Sequence, residues 1–375
     1  MLVLLSGSDA AGAASVPKTV VSNASFTATA MGKFDSPWAM AFLPDGRLLI
    51  TEKRGALKLH AINGQTGGQT GGKTGTIRGV PKVAYGGQGG LGDVVLHPKF
   101  NDNRFVYLSY AEAGPDGNRG AAVVRATLEL DDEGGGALSN TEVVWRQVPK
   151  VRGEGHYGHR IAFGPDGHLW ISSGERQKFD PAQDIQSNLG KIVRLNDDGS
   201  SPSDNPFAAE GGVSAQIWSL GHRNPLGLAF DAQGRLWSLE MGPRGGDEVN
   251  LIQRGANYGY PIVSNGDHYS GRLIPDHVTR PEFKAPAISW NPVISPTAFI
   301  IYSGSEFPRW QGSGFVGGLS SESLVRIEFN GETVREAERF TMGKRIREVE
   351  QGPEGAIWLL EDGSGGRLLK LTRPR

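Results

Sequence analysis

GHRIAFGPDGHLWISSGER, residues 158–176, is an apolar run, a Gly-Pro-Asp-Gly turn and a second apolar run. Asp tolerates tight-turn geometry and Gly supplies a positive φ, so the stretch predicts two strands joined by a hairpin. The pattern recurs as SPWAMAFLPDGRLLITEKRGALKL (36–59), GLGDVVLHPKFNDNRFVYLSY (90–110), NPLGLAFDAQGRLWSLEMGP (224–243) and REVEQGPEGAIWLLEDGSGGRLLKL (347–371). A more divergent copy, ISPTAFIIYSGSEFPRWQGSGFVGGLSSESLVRIEF, fills 294–329. That makes six units, spaced by roughly 50–70 residues, near the range for propeller blades once loops are added. One four-stranded blade cannot bury both faces, whereas six arranged radially can. The predicted fold is all-β, a six-bladed β-propeller of four-stranded antiparallel blades forming one domain over 21–375. Residues 1–20 read as an export-signal remnant or a disordered tail, and GQTGGQTGGKTGT (64–76) as a flexible polar surface loop.

Composition narrows the function classes. The 375 residues carry a formal net charge of −1, leaving no basic stripe for nucleic acid. No apolar run is long enough to span a bilayer. Glycine is abundant, at 55 residues, without a collagen period, which suits short strands and tight turns. Cysteine is absent, which excludes disulfides, thiol nucleophiles and thiolate metal sites. The start, MLVLLSGSDAAGAAS, has a short apolar run and an A-x-A-like site but no basic n-region. It reads as a truncated export signal, placing the protein in the periplasm or outside the cell.

Propellers bind ligands on the loops entering their innermost strands, so the residues before each unit are the ones to inspect. His156 and His159 lie three apart before the third unit. HxxH without a third ligand in a recognised order is a poor zinc signal. His168, in the turn of the same unit, reads as exposed. Gly87, Gly89 and Gly92 match G-x-G-x-x-G, but a strand follows where a dinucleotide fold needs a helix. The better reading is a tight loop aiming Gln88 into the channel. Arg223 and Asn224 precede the fourth unit and offer planar bidentate donors and an amide, or else knit two blades together. Gly242 and Pro243 form a turn whose carbonyls, with Asp247 and Glu248 nearby, would suit a hard cation such as Ca²⁺. Arg345 and Arg347 alternate on one face, which fits an anion site or a solvated edge. Trp290 belongs to the same converging set. No G-x-S-x-G elbow is present.

Taken together, GQGGLGDVVLHPKF, HYGHRIAF, GKIVRLNDDGSSPSDNPF, WSLGHRNPLGLAF, MGPRGGDEVNLI with GANYGYP, and RIREV resemble the soluble PQQ-dependent aldose sugar dehydrogenases, relatives of soluble glucose dehydrogenase. The resemblance covers most of the chain, and that family's fold is a six-bladed propeller. It implies PQQ and Ca²⁺ as cofactors, an aldose substrate oxidised to a lactone, and an external electron acceptor. It implies His156 as catalytic base, with His159 secondary, and Arg223 polarising the quinone carbonyl together with the metal. Gln88, Arg223, Asn224, Arg345, Arg347 and, less securely, Trp290 match cofactor-contacting positions. Gly242 and Pro243 match the turn giving carbonyls to Ca²⁺. One departure stands out: Ser320 occupies the place of a cofactor-binding lysine, with Lys344 a candidate to compensate. The segment after Gly174 is also divergent, which leaves Arg176 as a contact in question. Two other readings are a non-catalytic binding propeller that has lost the cofactor and a metal-dependent lactonase.

Overall fold

The computed structural model describes residues 19–62 and 72–374, and in it each of the six sequence units is an antiparallel hairpin. Pro37–Phe42 pairs with Leu48–Glu52, Leu91–Leu96 with Phe105–Ala113, and Gly158–Phe163 with Leu169–Ser173. Pro225–Phe230 pairs with Leu236–Glu240, Pro296–Ile301 with Gly314–Gly318, and Ile346–Gln351 with Ile357–Glu361. The turn chemistry is the one the sequence predicts. In the third unit Gly167 sits at φ 82° and donates its N–H to Gly164 O at 2.9 Å, closing a turn that a side-chain-bearing residue would strain.

Each hairpin continues into a four-strand meander, and the chain is all-β apart from short helical turns. The first strands, Pro37–Phe42, Leu91–Leu96, Gly158–Phe163, Pro225–Phe230, Pro296–Ile301 and Ile346–Gln351, each touch the next in this order, and the last touches the first. Side chains explain the circuit. The apolar clusters of the described residues are filled chiefly from pairs of successive meanders: Tyr107 and Val123 meet Ile161 and Ile171, and Trp237 and Val249 meet Phe299 and Val316. At the closing junction Trp358 and Leu360 meet Met40 and Leu48. Both faces of a meander are thus apolar because both are covered.

Three features depart from the sequence reading. The last meander takes its outer strand from the other end of the chain: Thr27–Asp35 pairs antiparallel with Ser364–Thr372, and Thr19–Ser22 adds a fifth strand. The proposed tail over 1–20 lies outside the described residues except for Thr19 and Val20, which already belong to that fifth strand. The polar stretch 64–76 falls largely outside the described residues, but its end is a strand, Thr74–Arg78, paired with Ala56–His60. That strand also meets Gly136–Arg146 in a short parallel contact, joining the first two meanders into one eight-stranded sheet. The parallel contact covers an edge that would otherwise stand open. Among the described residues, no helix is long and apolar enough to cross a membrane.

One side chain reaches every unit. Arg160, on the third, is 6% exposed and ion-pairs with Glu348 of the sixth and with Asp93 of the second, at 3.4 Å. It donates from Nε to Leu226 O of the fourth at 2.9 Å and from Nη2 to Thr297 O of the fifth at 2.6 Å. Its guanidinium lies 4.1 Å from the ring centroid of Trp38, on the first. Lysine could not do this, because it lacks the planar five-donor fork.

Candidate active site

The loops entering the first strands converge on a cavity of about 410 Å³. This lies within the span of roughly 300–1,000 Å³ common for small-molecule sites. Gln88, Asn224, Arg345 and Arg347 line it, and so do His159 and Lys53.

One wall is cationic. Arg345 Nε donates to Asp362 Oδ2 at 2.8 Å, and Arg347 Nε to Asp362 Oδ1 at 2.9 Å. Two guanidinium groups therefore share one carboxylate, and Lys53 adds a third cation. Arg347 holds Asp362 below the usual carboxylate range even though burial opposes it. Burial, aided by Arg347, lowers the Lys53 pKa. Both arginines line the cavity, Arg347 partly buried and Arg345 exposed.

His156 stands beside this cavity rather than in its lining, with 8% of its side chain exposed. Its Nδ1 is hydrogen-bonded to Glu175 Oε1, and its backbone N–H donates to Gln88 Oε1 at 2.7 Å. Glu175 Oε2 accepts from the N–H groups of Lys178 and, at 2.7 Å, Phe179. Burial holds His156 below the ordinary histidine value; Glu175 opposes this and the Arg223 charge adds to it. The ring is therefore neutral near pH 7, with one nitrogen fixed by a carboxylate, the state a proton acceptor requires. His156, His159, Arg176, Gln177 and Phe179 all have φ between 49° and 64°. A run of side-chain-bearing residues in the left-handed region is costly and concentrates where geometry is imposed.

His159 has a different character. It lines the cavity, stacks on Trp38 with centroids 5.0 Å apart, and shares a 2.7 Å hydrogen bond between Nδ1 and Ser109 Oγ. Burial pushes its pKa down to about 3, so it stays neutral and takes no proton at working pH. Gly92 makes room for it: a Cβ there would lie 2.0 Å from the His159 ring.

Arg223 bridges Glu175, the partner of His156, to the Gly242–Pro243 turn. Its backbone O accepts from Glu175 N at 2.8 Å, and its Nη1 donates to Met241 O at 2.9 Å and Gly242 O at 2.6 Å. Its Nε is buried without a hydrogen-bond partner. Glu240 accepts from the N–H groups of Arg223 and, at 3.1 Å, Asn224, while Asn224 Oδ1 accepts from Gly158 N at 3.1 Å. The turn is fixed by Asp247, which accepts from Gly242 N at 2.9 Å and from Ile294 N and Ser295 N at 2.7 Å each. Asp247 is thereby spent on backbone, and burial raises it to about 6. Glu248 is bonded to Asn250 instead.

Other sequence candidates fall elsewhere. Trp290 ends the outermost strand of its sheet, packs in an apolar cluster and donates Nε1 to Glu336 at 2.7 Å; it does not line the cavity. Arg176 is fully buried and donates to Gly155 O at 2.8 Å and to the carbonyls of Arg119 and Gly153. It holds the loop carrying His156 and contributes nothing to the lining. Ser320 accepts a 2.8 Å hydrogen bond from Ser295 Oγ, and Lys344 is exposed, outside the lining. His168 is partly buried, its Nδ1 2.9 Å from Asp166 Oδ2. Sequence reasoning missed Lys53, Glu175, Glu240 and Asp362. A signal existed: Glu52, Glu240 and Glu361 each stand six residues after their unit's turn glycine, with Lys53 and Asp362 one place further.

A family model described as glucose/sorbosone dehydrogenase matches residues 34–370. Aldose sugar dehydrogenase YliI of Escherichia coli is 41% identical over 350 residues, 91% of each chain. Quinoprotein glucose dehydrogenase B of Acinetobacter calcoaceticus is 28% identical over 325 residues, 80% of this chain and 65% of that protein. The crystal structure of the soluble E. coli aldose sugar dehydrogenase in its apo form superposes with a TM-score of 0.85 at 39% identity, covering 93% of this chain and all of that one, 100%. The PQQ-bound form of aldose sugar dehydrogenase from Streptomyces coelicolor superposes with a TM-score of 0.75 at 28% identity, covering 95% and 99%. Matched over nearly its whole length by sequence and by structure, this chain belongs to the glucose/sorbosone dehydrogenase family.

Proposed function

We propose that this protein oxidises aldose sugars at the anomeric carbon to lactones, with PQQ held in the cavity, His156 as base and an external acceptor taking the electrons. The supporting architecture is a six-bladed propeller, its blades the six meanders, operating in the periplasm or outside the cell. The observation that carries the reading is the cationic wall of Arg345, Arg347 and Lys53 beside a neutral histidine fixed by a buried carboxylate. PQQ bears three carboxylates, and the residues present fit it: the wall has more positive charge than Asp362 neutralises.

Gln88, Asn224, Arg345 and Arg347 bind and orient the cofactor, and Arg223 supplies a donor from below-solvent surroundings where each hydrogen bond counts for more. When bound, PQQ supplies an ortho-quinone that accepts hydride from the sugar. His156 takes the proton of the anomeric hydroxyl, while Glu175 fixes its tautomer and stabilises the imidazolium that forms. The carbonyls of Gly242 and Pro243 would hold Ca²⁺, a hard cation that takes oxygen ligands. Gly242 O also accepts from Arg223 Nη1 at 2.6 Å, and its second lone pair would remain for the metal.

Reconstitution tests the reading. Apo-protein titrated with PQQ and Ca²⁺ is expected to reduce dye with aldoses, saturating in PQQ and failing after EDTA treatment. No PQQ binding would favour the binding-propeller reading, for which neutral Ser320 is the supporting feature. A second expectation concerns pH. Because burial lowers the His156 pKa, protonation should inactivate the enzyme only below about pH 6.5, the unperturbed histidine value. The acidic limb of kcat/KM is the readout, and a limb lying above that value would contradict His156 as base.

A further inference from the structure

We propose that Lys53 supplies, in this chain, the cationic contact to a cofactor carboxylate that Ser320 cannot make. The inference rests on the PQQ reading of the cavity. Lys53 is a half-buried lysine on a cavity wall that already holds two arginines.

Nothing about Lys53 is a loose surface position. Its backbone N–H donates to Ser36 O at 3.0 Å and its backbone O accepts from Leu91 N at 2.9 Å, so the residue is pinned at the junction of the first two meanders. Gly90 leaves room for it, since a Cβ there would lie 2.1 Å from Lys53 O. The ammonium donates to Gly87 O, on the loop that carries Gln88, and stands 5.8 Å from the Tyr85 ring centroid. It donates to a neutral carbonyl and faces an aromatic ring, while Asp362 and Glu154 act on it only through space and Asp362 is hydrogen-bonded to Arg345 and Arg347. A fixed cation, partly desolvated and repelled by Arg347, is stabilised by an anion entering the cavity. The alternative cation, Lys344, is exposed and lies outside the lining, and Ser320 is a neutral hydroxyl engaged with Ser295.

The test is PQQ affinity, read by quenching of protein fluorescence in apo-protein with Ca²⁺ present and no sugar. Lys53→Gln should raise the Kd by at least about tenfold, the loss of one charge-assisted hydrogen bond. Lys53→Arg should retain most of the affinity, and Ser320→Lys in the Lys53→Gln background should restore it. High salt should weaken the wild type more than Lys53→Gln. A Lys53→Gln protein that binds PQQ as the wild type does, while Arg347→Gln loses binding, overturns the role of Lys53 and leaves the PQQ reading standing. Failure of the wild type to bind PQQ overturns both.

Discussion

Replacing His156 with alanine is expected to cut turnover by about 10²–10⁴-fold, the usual contribution of a positioned general base, while PQQ affinity changes little. The separation follows from which atoms do what. The contact between His156 and the Gln88 side chain runs through the backbone N–H, which every substitution keeps. Glu175 retains its bonds to the N–H groups of Lys178 and Phe179, so its carboxylate is not stranded. The backbone at His156 has φ 49°, which alanine adopts reluctantly and asparagine more readily. His156→Asn therefore controls for loop distortion, and both variants should lose turnover alike. Steady-state dye reduction beside a PQQ titration checks this; activity within about tenfold of wild type would remove His156 from the chemistry.

Arg160→Met is expected to be the most destabilising single change in the channel, at about 3–5 kcal/mol, the typical cost of removing one partner from a buried ion pair. Arg160 is held charged by Glu348 and Asp93. Burial nonetheless pushes Glu348 up to about 7 and raises Asp93, because one guanidinium offsets the desolvation of two carboxylates incompletely. Without Arg160 both folded-state values climb further above the unfolded range of about 3.9–4.3. The folded variant then binds more protons than the unfolded chain across that window, so its stability falls as pH rises through it, more steeply than in the wild type. Denaturant unfolding at pH 5 and pH 8 reads both effects. A loss below about 1 kcal/mol would assign the six-way contact no structural weight.

The hairpins were legible because their information is local. Turn glycines and apolar alternation in 36–59 or 158–176 specify a pairing a few residues away, and Gly167 takes the positive φ its turn needs. Thr27–Asp35 was not legible, since its partner lies at the far end of the chain and no turn signal announces it. The same distinction runs through the site. Gln88, Asn224, Arg345 and Arg347 stand at the mouths of readable strands and meet at one cavity. Lys53 and Asp362 follow second strands, where a charge reads as ordinary surface until the circuit of units is closed. Trp290 drew attention as an aromatic in a converging set, but its position on an outermost strand sends the indole between sheets. Glu175 was hidden by its divergent neighbourhood, although its bond to His156 is what gives that histidine a direction.

The pairing of Thr27 with Thr372 sets an order of events in time. Early in synthesis Thr27–Asp35 has no partner, because the strand that receives it follows the five other meanders in the chain. Five meanders can form as they emerge, but the sixth stays two strands short of its full sheet until Thr27–Asp35 and Ser364–Thr372 meet. Such distant pairing is slow and leaves an apolar edge exposed while it waits. Arg345, Arg347 and Asp362 belong to that final meander, so the cationic wall is assembled last. If PQQ binds this wall as proposed, it enters only after that meander has formed.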